Sequence, residues 1–175
     1  MGLRYTKESR DFSGCEFVPA DGYSVHTLED MFNLLSGGNA NIQQGDCVTL
    51  NAQKSNDIFK DSLDENNISG RLSLDWKPTE DYLFYGTLMR GFKSGGFPVT
   101  NASNQSQYEP VTQERLHAVE FGSKMTMLDN RLRLNTAFFY YNYKDKQSLT
   151  RTMDQVWGPL PILANAPKSV VTGAE

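Results

Sequence analysis

The chain of 175 residues has no run of about 18 consecutive apolar residues, so no transmembrane helix is predicted. Histidine is scarce: His26 and His117 stand alone, and neither belongs to a Ser/His/Asp or Cys/His arrangement, so the chain does not read as an enzyme. The two cysteines, Cys15 and Cys47, lack CxxC spacing and a nearby histidine pair, and this tells against a metal site. Gly91 to Gly96 lacks the Gly-Lys-Ser/Thr order of a phosphate loop. Basic residues form no run and the net charge is −4, which argues against nucleic acid and other polyanions as ligands. Met1 to Thr6 lacks the basic and apolar regions of a secretory signal. A mean hydropathy of −0.53 would ordinarily speak for a water-soluble protein, but it also fits strands that alternate apolar and polar residues between polar loops.

Alternation is what the chain has in abundance. From Ser69 to Trp76, Leu72, Leu74 and Trp76 fall on one face, and Arg71, Ser73 and Asp75 on the other. Lys77-Pro78-Thr79-Glu80-Asp81 then reads as a turn. Tyr82 to Lys93 alternates less sharply. Between about Gln113 and Met127, Val119, Phe121, Ser123 and Met125 oppose Ala118, Glu120, Gly122 and Lys124. After the turn Leu128-Asp129-Asn130-Arg131, Leu132, Leu134, Thr136, Phe138 and Tyr140 oppose Arg133, Asn135, Ala137, Phe139 and Tyr141. Leu3 to Glu8 and Pro167 to Glu175 read as further strands. The fold class is all-β, an antiparallel meander of about six strands, each near the roughly 9–11 residues that a tilted strand needs to cross a bilayer.

Three long connections separate these strands. Ser9 to Asn66 is polar and rich in Gly, Asn and Ser, with one predicted helix at His26 to Leu35, where Leu28, Met31, Phe32 and Leu35 share a face, Thr27 is the N-cap and Gly37 lies beyond the end. Ser94 to Gln113 carries loop signals throughout. Gln147 to Ala166 is read as a loop because Pro159 and Pro161 interrupt it. Cys15 and Cys47 both fall in the first loop, and in an oxidising compartment they are expected to form a disulfide.

The runs SGRLSLDWKPTEDYLFYGTLMRGFKSGGF, YEPVTQERLHAVEFGSKMTMLDNRLRLNTAFFYYNYKDKQ and NAPKSVVTGAE occur in order, and together they resemble the C-terminal half of the barrel in TonB-dependent outer-membrane receptors. The resemblance implies that residues 1–175 are one partial transmembrane β-barrel domain, about six strands of a plugged barrel of about 22. The plug domain would be absent and the chain a fragment. It further implies residence in the outer membrane of a Gram-negative bacterium, contact with outer-membrane lipid, coupling to the TonB complex through a region outside this chain, and uptake of a scarce small molecule such as an iron–siderophore complex. No cofactor is implied, and no ligand-binding residue carries a ligand-specific pattern. Arg71, Asp75, Glu120, Lys124, Arg133 and Asn135 are then expected to face the lumen, lining the barrel and contacting the plug or guiding ligand. Leu72, Leu74, Phe121, Leu132, Leu134, Phe138 and Tyr140 are expected to face lipid. A secreted all-β binding module with a disulfide-stapled loop is the alternative. It would have to bury Leu132, Leu134, Phe138 and Tyr140 against a second layer.

Overall fold

A computed structural model of the chain describes residues 1–18, 29–30, 33–34, 37, 43–53 and 55–175. Six strands, β1 (Gly2–Gly14), β2 (Phe59–Trp76), β3 (Tyr82–Lys93), β4 (Glu114–Met127), β5 (Leu132–Asp154) and β6 (Gly158–Ala174), form a single sheet in the order β1-β2-β3-β4-β5-β6. Every neighbouring pair is antiparallel. Each strand thus pairs with the next in sequence, whether the connection is a tight turn, as at 77–81 and 128–131, or a long loop, as at 15–58 and 94–113. The bounds of β3 coincide with those expected from sequence, and β4 starts within a residue of them.

Two expectations need correction. The first loop is shorter than Ser9 to Asn66, because β1 continues to Gly14 and β2 already starts at Phe59. The polar residues there still alternate in the ladder, but both faces are polar, so hydropathy could not reveal the strand. The segment Gln147 to Ala166 is not a loop at all. It is the far half of a long hairpin whose connection is residues 155–157. Asp154 closes that tip by accepting from the backbone N–H groups of Val156 and Trp157 at 2.7 and 2.8 Å.

Pro159 and Pro161 are the second and fourth residues of β6, beside the hairpin turn, where a missing donor is least disruptive. Pro167 has no N–H, and its position opposite Asp145 drops out of the ladder. The Asp145 carbonyl left without that donor accepts instead from Asn165 Nδ2 at 2.6 Å. Asp145 itself takes a left-handed φ of 55°. At the other end, the β4–β5 turn runs through three left-handed residues, Leu128, Asp129 and Asn130, closed by Arg131 N–H donating to the Leu128 carbonyl at 3.0 Å.

The fully buried side chains lie in the connections, above the sheet. Thr49 and Leu50 are 0% and 1% exposed, and Val18, Ala102, Tyr108 and Val111 join them in the buried class. Thr49 Oγ1 accepts from Glu16 N–H at 2.8 Å and donates to the Ala102 carbonyl at 2.8 Å, tying the first and second long loops together. Inside the second loop a 3₁₀ turn, Gln105–Gln107, is capped by Asn104 and Gln107 reciprocally. Burial pushes the Tyr108 phenol above its ordinary pKa. The predicted helix at His26 to Leu35 falls mostly outside the described residues. Glu29, Asp30, Asn33 and Leu34 within it are helical. Gly37 follows with φ 69° and donates to the Asn33 carbonyl at 3.1 Å, an arrangement that ends a helix.

Cys15 and Cys47 are joined by a disulfide, with Cα atoms 5.7 Å apart. It closes the first loop beside the Phe17–Cys47 bridge. Under the chain-entropy treatment a loop of this length gains about 3–4 kcal/mol from such a link. Thiol titration of exported, denatured protein is expected to find no free thiol before reduction and two afterwards. Two thiols before reduction would contradict the link.

Candidate functional site

Partners across an antiparallel ladder point to the same side, so the register sorts the side chains without ambiguity. Arg71 pairs with Met89, Asp75 with Tyr85, Thr87 with Glu120, Leu83 with Lys124, Lys124 with Asn135 and Thr126 with Arg133. All six residues expected to face the lumen therefore share one face. Leu72 pairs with Leu88 and Leu88 with Val119, which in turn pairs with Tyr140. Phe121 pairs with Phe138, Met125 with Leu134 and Met127 with Leu132. Leu74 pairs with Gly86, itself opposite Phe121. All seven residues expected to face lipid share the opposite face.

The polar face carries a hydrogen-bonded network. The Glu120 carboxylate accepts from Tyr85 Oη at 3.0 Å and from Tyr141 Oη at 3.2 Å, so a β4 side chain is held from both neighbouring strands. Arg71 Nε donates to Ser73 Oγ at 3.0 Å, and Ser73 and Thr87 hydroxyls lie 3.2 Å apart. Together with Lys124 and Asp75 these groups border an open recess of about 360 Å³. Among the described residues, Asp75, Lys124, Arg133 and Asn135 have no hydrogen-bonded or ionic partner, and nothing covers this face.

Glycines shape the network. Gly122 lies opposite Tyr85, and a Cβ there would stand 2.6 Å from the phenol ring and 2.5 Å from the Thr136 carbonyl. Its missing side chain is what lets Tyr85 lie across β4 and reach Glu120. Gly173 does the same for Phe139, which would meet a Cβ at 2.4 Å.

Higher on the same face, sequence reasoning missed a second cluster. Phe12, which alternates with Arg10 and pairs with Asp61, stacks on Phe97 at 4.9 Å with planes 8° apart, and it also touches Phe59 and Tyr108. Below it Glu65 accepts from Gly95 N–H at 2.8 Å and Gln113 N–H at 2.6 Å, clamping the ends of the second loop to β2. Ser9 to Gly14 is polar on both faces except at Phe12, so no hydropathy signal marked the strand that carries it.

The opposite face is uncovered. Leu74 is 76% exposed, Trp76 64%, and Phe138 57%, and Leu72, Leu132, Leu134, Phe121 and Tyr140 are exposed too. A contiguous apolar surface of this extent is foreign to water-soluble monomers. Among the described residues no second layer packs on it, and no helix is long and apolar enough to cross a membrane. His117 lies on this face too, while His26 is outside the described residues. No group of three or more His, Cys, Asp or Glu that could hold a metal occurs among the described residues.

An open antiparallel sheet with one polar face and one apolar face, on which no second layer packs among the described residues, is consistent with part of a β-barrel wall. The model of the family described as TonB dependent receptor-like, beta-barrel matches residues 1–175, and the chain belongs to that family. This is a family of receptors and transporters. No curated protein matches the sequence. Among solved structures the chain is similar to the ferric yersiniabactin uptake receptor FyuA from Yersinia pestis, at 22% identity and a TM-score of 0.50, over 68% of this chain and 16% of that one. At that identity the likeness concerns the fold, and the match spans a small part of the receptor's length.

Because Gly122 makes room for Tyr85, Gly122→Ala is expected to destabilise the folded sheet by about 1–3 kcal/mol. The measurement is the urea midpoint of the protein folded in vesicles. A midpoint unchanged from wild type would show that Tyr85 does not occupy that seat.

Proposed function

We propose that this chain is part of the barrel wall of an outer-membrane receptor of a Gram-negative bacterium, one that imports a scarce small molecule such as an iron–siderophore complex. The observation that carries the membrane part of this reading is the segregation of faces: the ladder gathers every expected lipid-facing residue on one side and every expected lumen-facing residue on the other. Family membership supports the receptor part, and FyuA's description as a ferric yersiniabactin uptake receptor supports iron as the cargo class.

In this reading residues 1–175 form a partial barrel domain, and the edges of β1 and β6 pair with further strands of the closed wall. The apolar face meets lipid. The polar face, with Glu120 fixed by two tyrosines and Lys124 and Asp75 left unpaired, faces a plug and the path of the ligand. Energy would come from the TonB complex, whose contact region lies outside this chain. The aromatic cluster of Phe12, Phe59, Phe97 and Tyr108 holds the long loops over the mouth. No residue is assigned to chemistry, since uptake needs binding and gating and no bond is made or broken. The secreted-module alternative leaves Leu132, Leu134, Phe138 and Tyr140 without a covering layer.

Two experiments test this. Leu134→Arg in the intact receptor is expected to cost roughly 2–4 kcal/mol of folding free energy in lipid near the midplane. Asn135→Arg, one residue away, sits in the wet interior opposite Lys124, where like charges directly across a ladder cost at most about 1 kcal/mol. Equal tolerance or the reverse order would sink the face assignment. For the cargo, disruption of the receptor gene is expected to abolish growth on ferric siderophores as sole iron source and to remove uptake of labelled iron. Undiminished uptake across a panel of siderophores, with loss of growth on another scarce nutrient, would replace iron as the cargo while leaving the barrel reading intact.

A further inference from the structure

β5 outruns its neighbour on one side. Its partner β4 begins at Glu114, and their ladder ends with the pair Arg115–Lys144, whereas β5 continues to Asp154. Beyond Lys144 it pairs only with β6 among the described residues. The side left uncovered is the β4 side, inside the meander, so strands that close the wall beyond β1 and β6 pair elsewhere. The prolines of β6 show which backbone groups face that side. Arg151 pairs with Pro161 and Met153 with Pro159, and a proline has no N–H to exchange, so both are non-hydrogen-bonded pairs. In such a pair the N–H and C=O of each residue point away from the partner strand. Alternation gives Leu149, opposite Leu163, the same orientation.

Gln147 marks where this edge starts, since its N–H is taken by Glu114 Oε2 of β4 at 2.9 Å. From Leu149 to Met153 no backbone N–H on this side has a partner among the described residues, and the Leu149 carbonyl takes only a 3.5 Å contact from Ser148 Oγ. The side chains are open as well. Leu149 and Met153 are 80% and 78% exposed, and Arg151 between them is exposed without an ionic partner among the described residues. Sheet edges are ordinarily blunted by proline, lysine, a bulge or a covering loop. Residues 149–153 have no proline, lysine or bulge, and their single charge is Arg151. The hairpin that presents them is held in place: Asp154 Oδ2 accepts from Asn104 Nδ2 at 2.9 Å, and Val156 and Trp157 pack on Val18 and Leu50.

We infer that the β5 edge from Leu149 to Met153 binds an extended peptide segment of another protein, which adds to the sheet as an antiparallel strand. An acidic residue of that segment faces Arg151, and the apolar residues two places to either side of it face Leu149 and Met153. Main-chain hydrogen bonds supply the affinity, and the alternating side chains select the sequence. Opposite charges facing across a ladder stabilise it, and like charges destabilise it. The same rule disfavours a second copy of this chain, because the antiparallel register that matches Leu149 with Met153 sets two Arg151 side chains against each other. An edge already fixed by the loops needs no ordering when the segment arrives. The inference rests on the barrel reading above, which places this edge on the outer side of the membrane.

The test uses the intact receptor folded in phosphatidylcholine vesicles and a fluorescently labelled synthetic peptide, Thr-Val-Thr-Glu-Thr-Val-Thr, with binding above that of empty vesicles read by anisotropy. Wild type is expected to bind it saturably, and at least about threefold more tightly than the analogue with lysine in place of glutamate. Arg151→Glu is expected to reverse that order. N-methylation of the glutamate and both valines, whose N–H groups face β5 in the added strand, is expected to abolish binding, while N-methylation of the threonines leaves it. Absence of saturable binding up to about 1 mM, equal affinity for the two peptides, or equal effects of the two methylation patterns would overturn the inference. Arg151 and Met153 amides already protected from hydrogen exchange before peptide is added would show the edge to be covered in the receptor, and would overturn it too. A dimer in native mass spectrometry that Met153→Pro dissolves would assign the edge to a second copy instead. If Arg151→Glu does not fold, the peptides on wild type decide alone. Receptor that fails to insert into the vesicles at all would overturn the barrel reading together with this inference, whereas insertion without peptide binding overturns this inference only.

Discussion

The structure depends on a sheet whose apolar side chains have, among the described residues, no protein packed against them. In water, leaving Leu74, Trp76, Phe121 and Phe138 exposed forfeits about 1.5–3 kcal/mol for each large side chain relative to burial. A surrounding hydrocarbon phase removes that penalty, and at the same time forbids unpaired backbone groups and edges facing lipid. The continuous ladder from β1 to β6 meets the first demand, and closure of the wall beyond those two edges would meet the second. The inversion of burial, with polar connections forming the compact part and strands left bare, follows from the same constraint.

Register is the second half of that constraint. Because a slip of one residue exchanges the faces, the network of Glu120 with Tyr85 and Tyr141, seated by Gly122, works as a lock on the β3–β4–β5 alignment as well as a feature of the polar wall. The clamp from Glu65 to the Gly95 and Gln113 N–H groups, and Thr49 between Glu16 and Ala102, extend the same logic into the loops, where no hydrophobic period exists to set alignment.

How much was legible in the sequence followed the strength of that period. From Ser69 to Trp76, in β4 and in the first half of β5 the alternation is strong enough to read strand and face, whereas Tyr82 to Lys93 alternates less sharply, so its bounds were legible and its face was not. Beyond the belt the outer face turns polar as well: Lys7, Ser9, Asp11 and Ser13 on β1 oppose Asn66, Asp64, Ser62 and Lys60 on β2. Alternation of polar with polar leaves no hydropathy signal, so the upper halves of both strands read as loop. The β5–β6 hairpin was hidden for a different reason. Pro159, Pro161 and Pro167 are local signals against strand, and only the ladder makes them compatible with it: the first two lie beside the hairpin turn, and Asn165 replaces the bond lost at the third. The tyrosine pair on Glu120 joins residues from three strands, so it exists only once the register is known.

The central claim, that the sheet separates lipid from water, is tested most directly by a nitroxide scan along β5. Spin labels placed singly from Leu132 to Tyr141 in the receptor folded in vesicles would be challenged with oxygen, which partitions into lipid, and with a water-soluble nickel chelate. The account predicts a period of two, with oxygen favoured at 132, 134, 136, 138 and 140 and the chelate at 133, 135, 137, 139 and 141. A profile without that period, or with chelate access at both sets of positions, would contradict it.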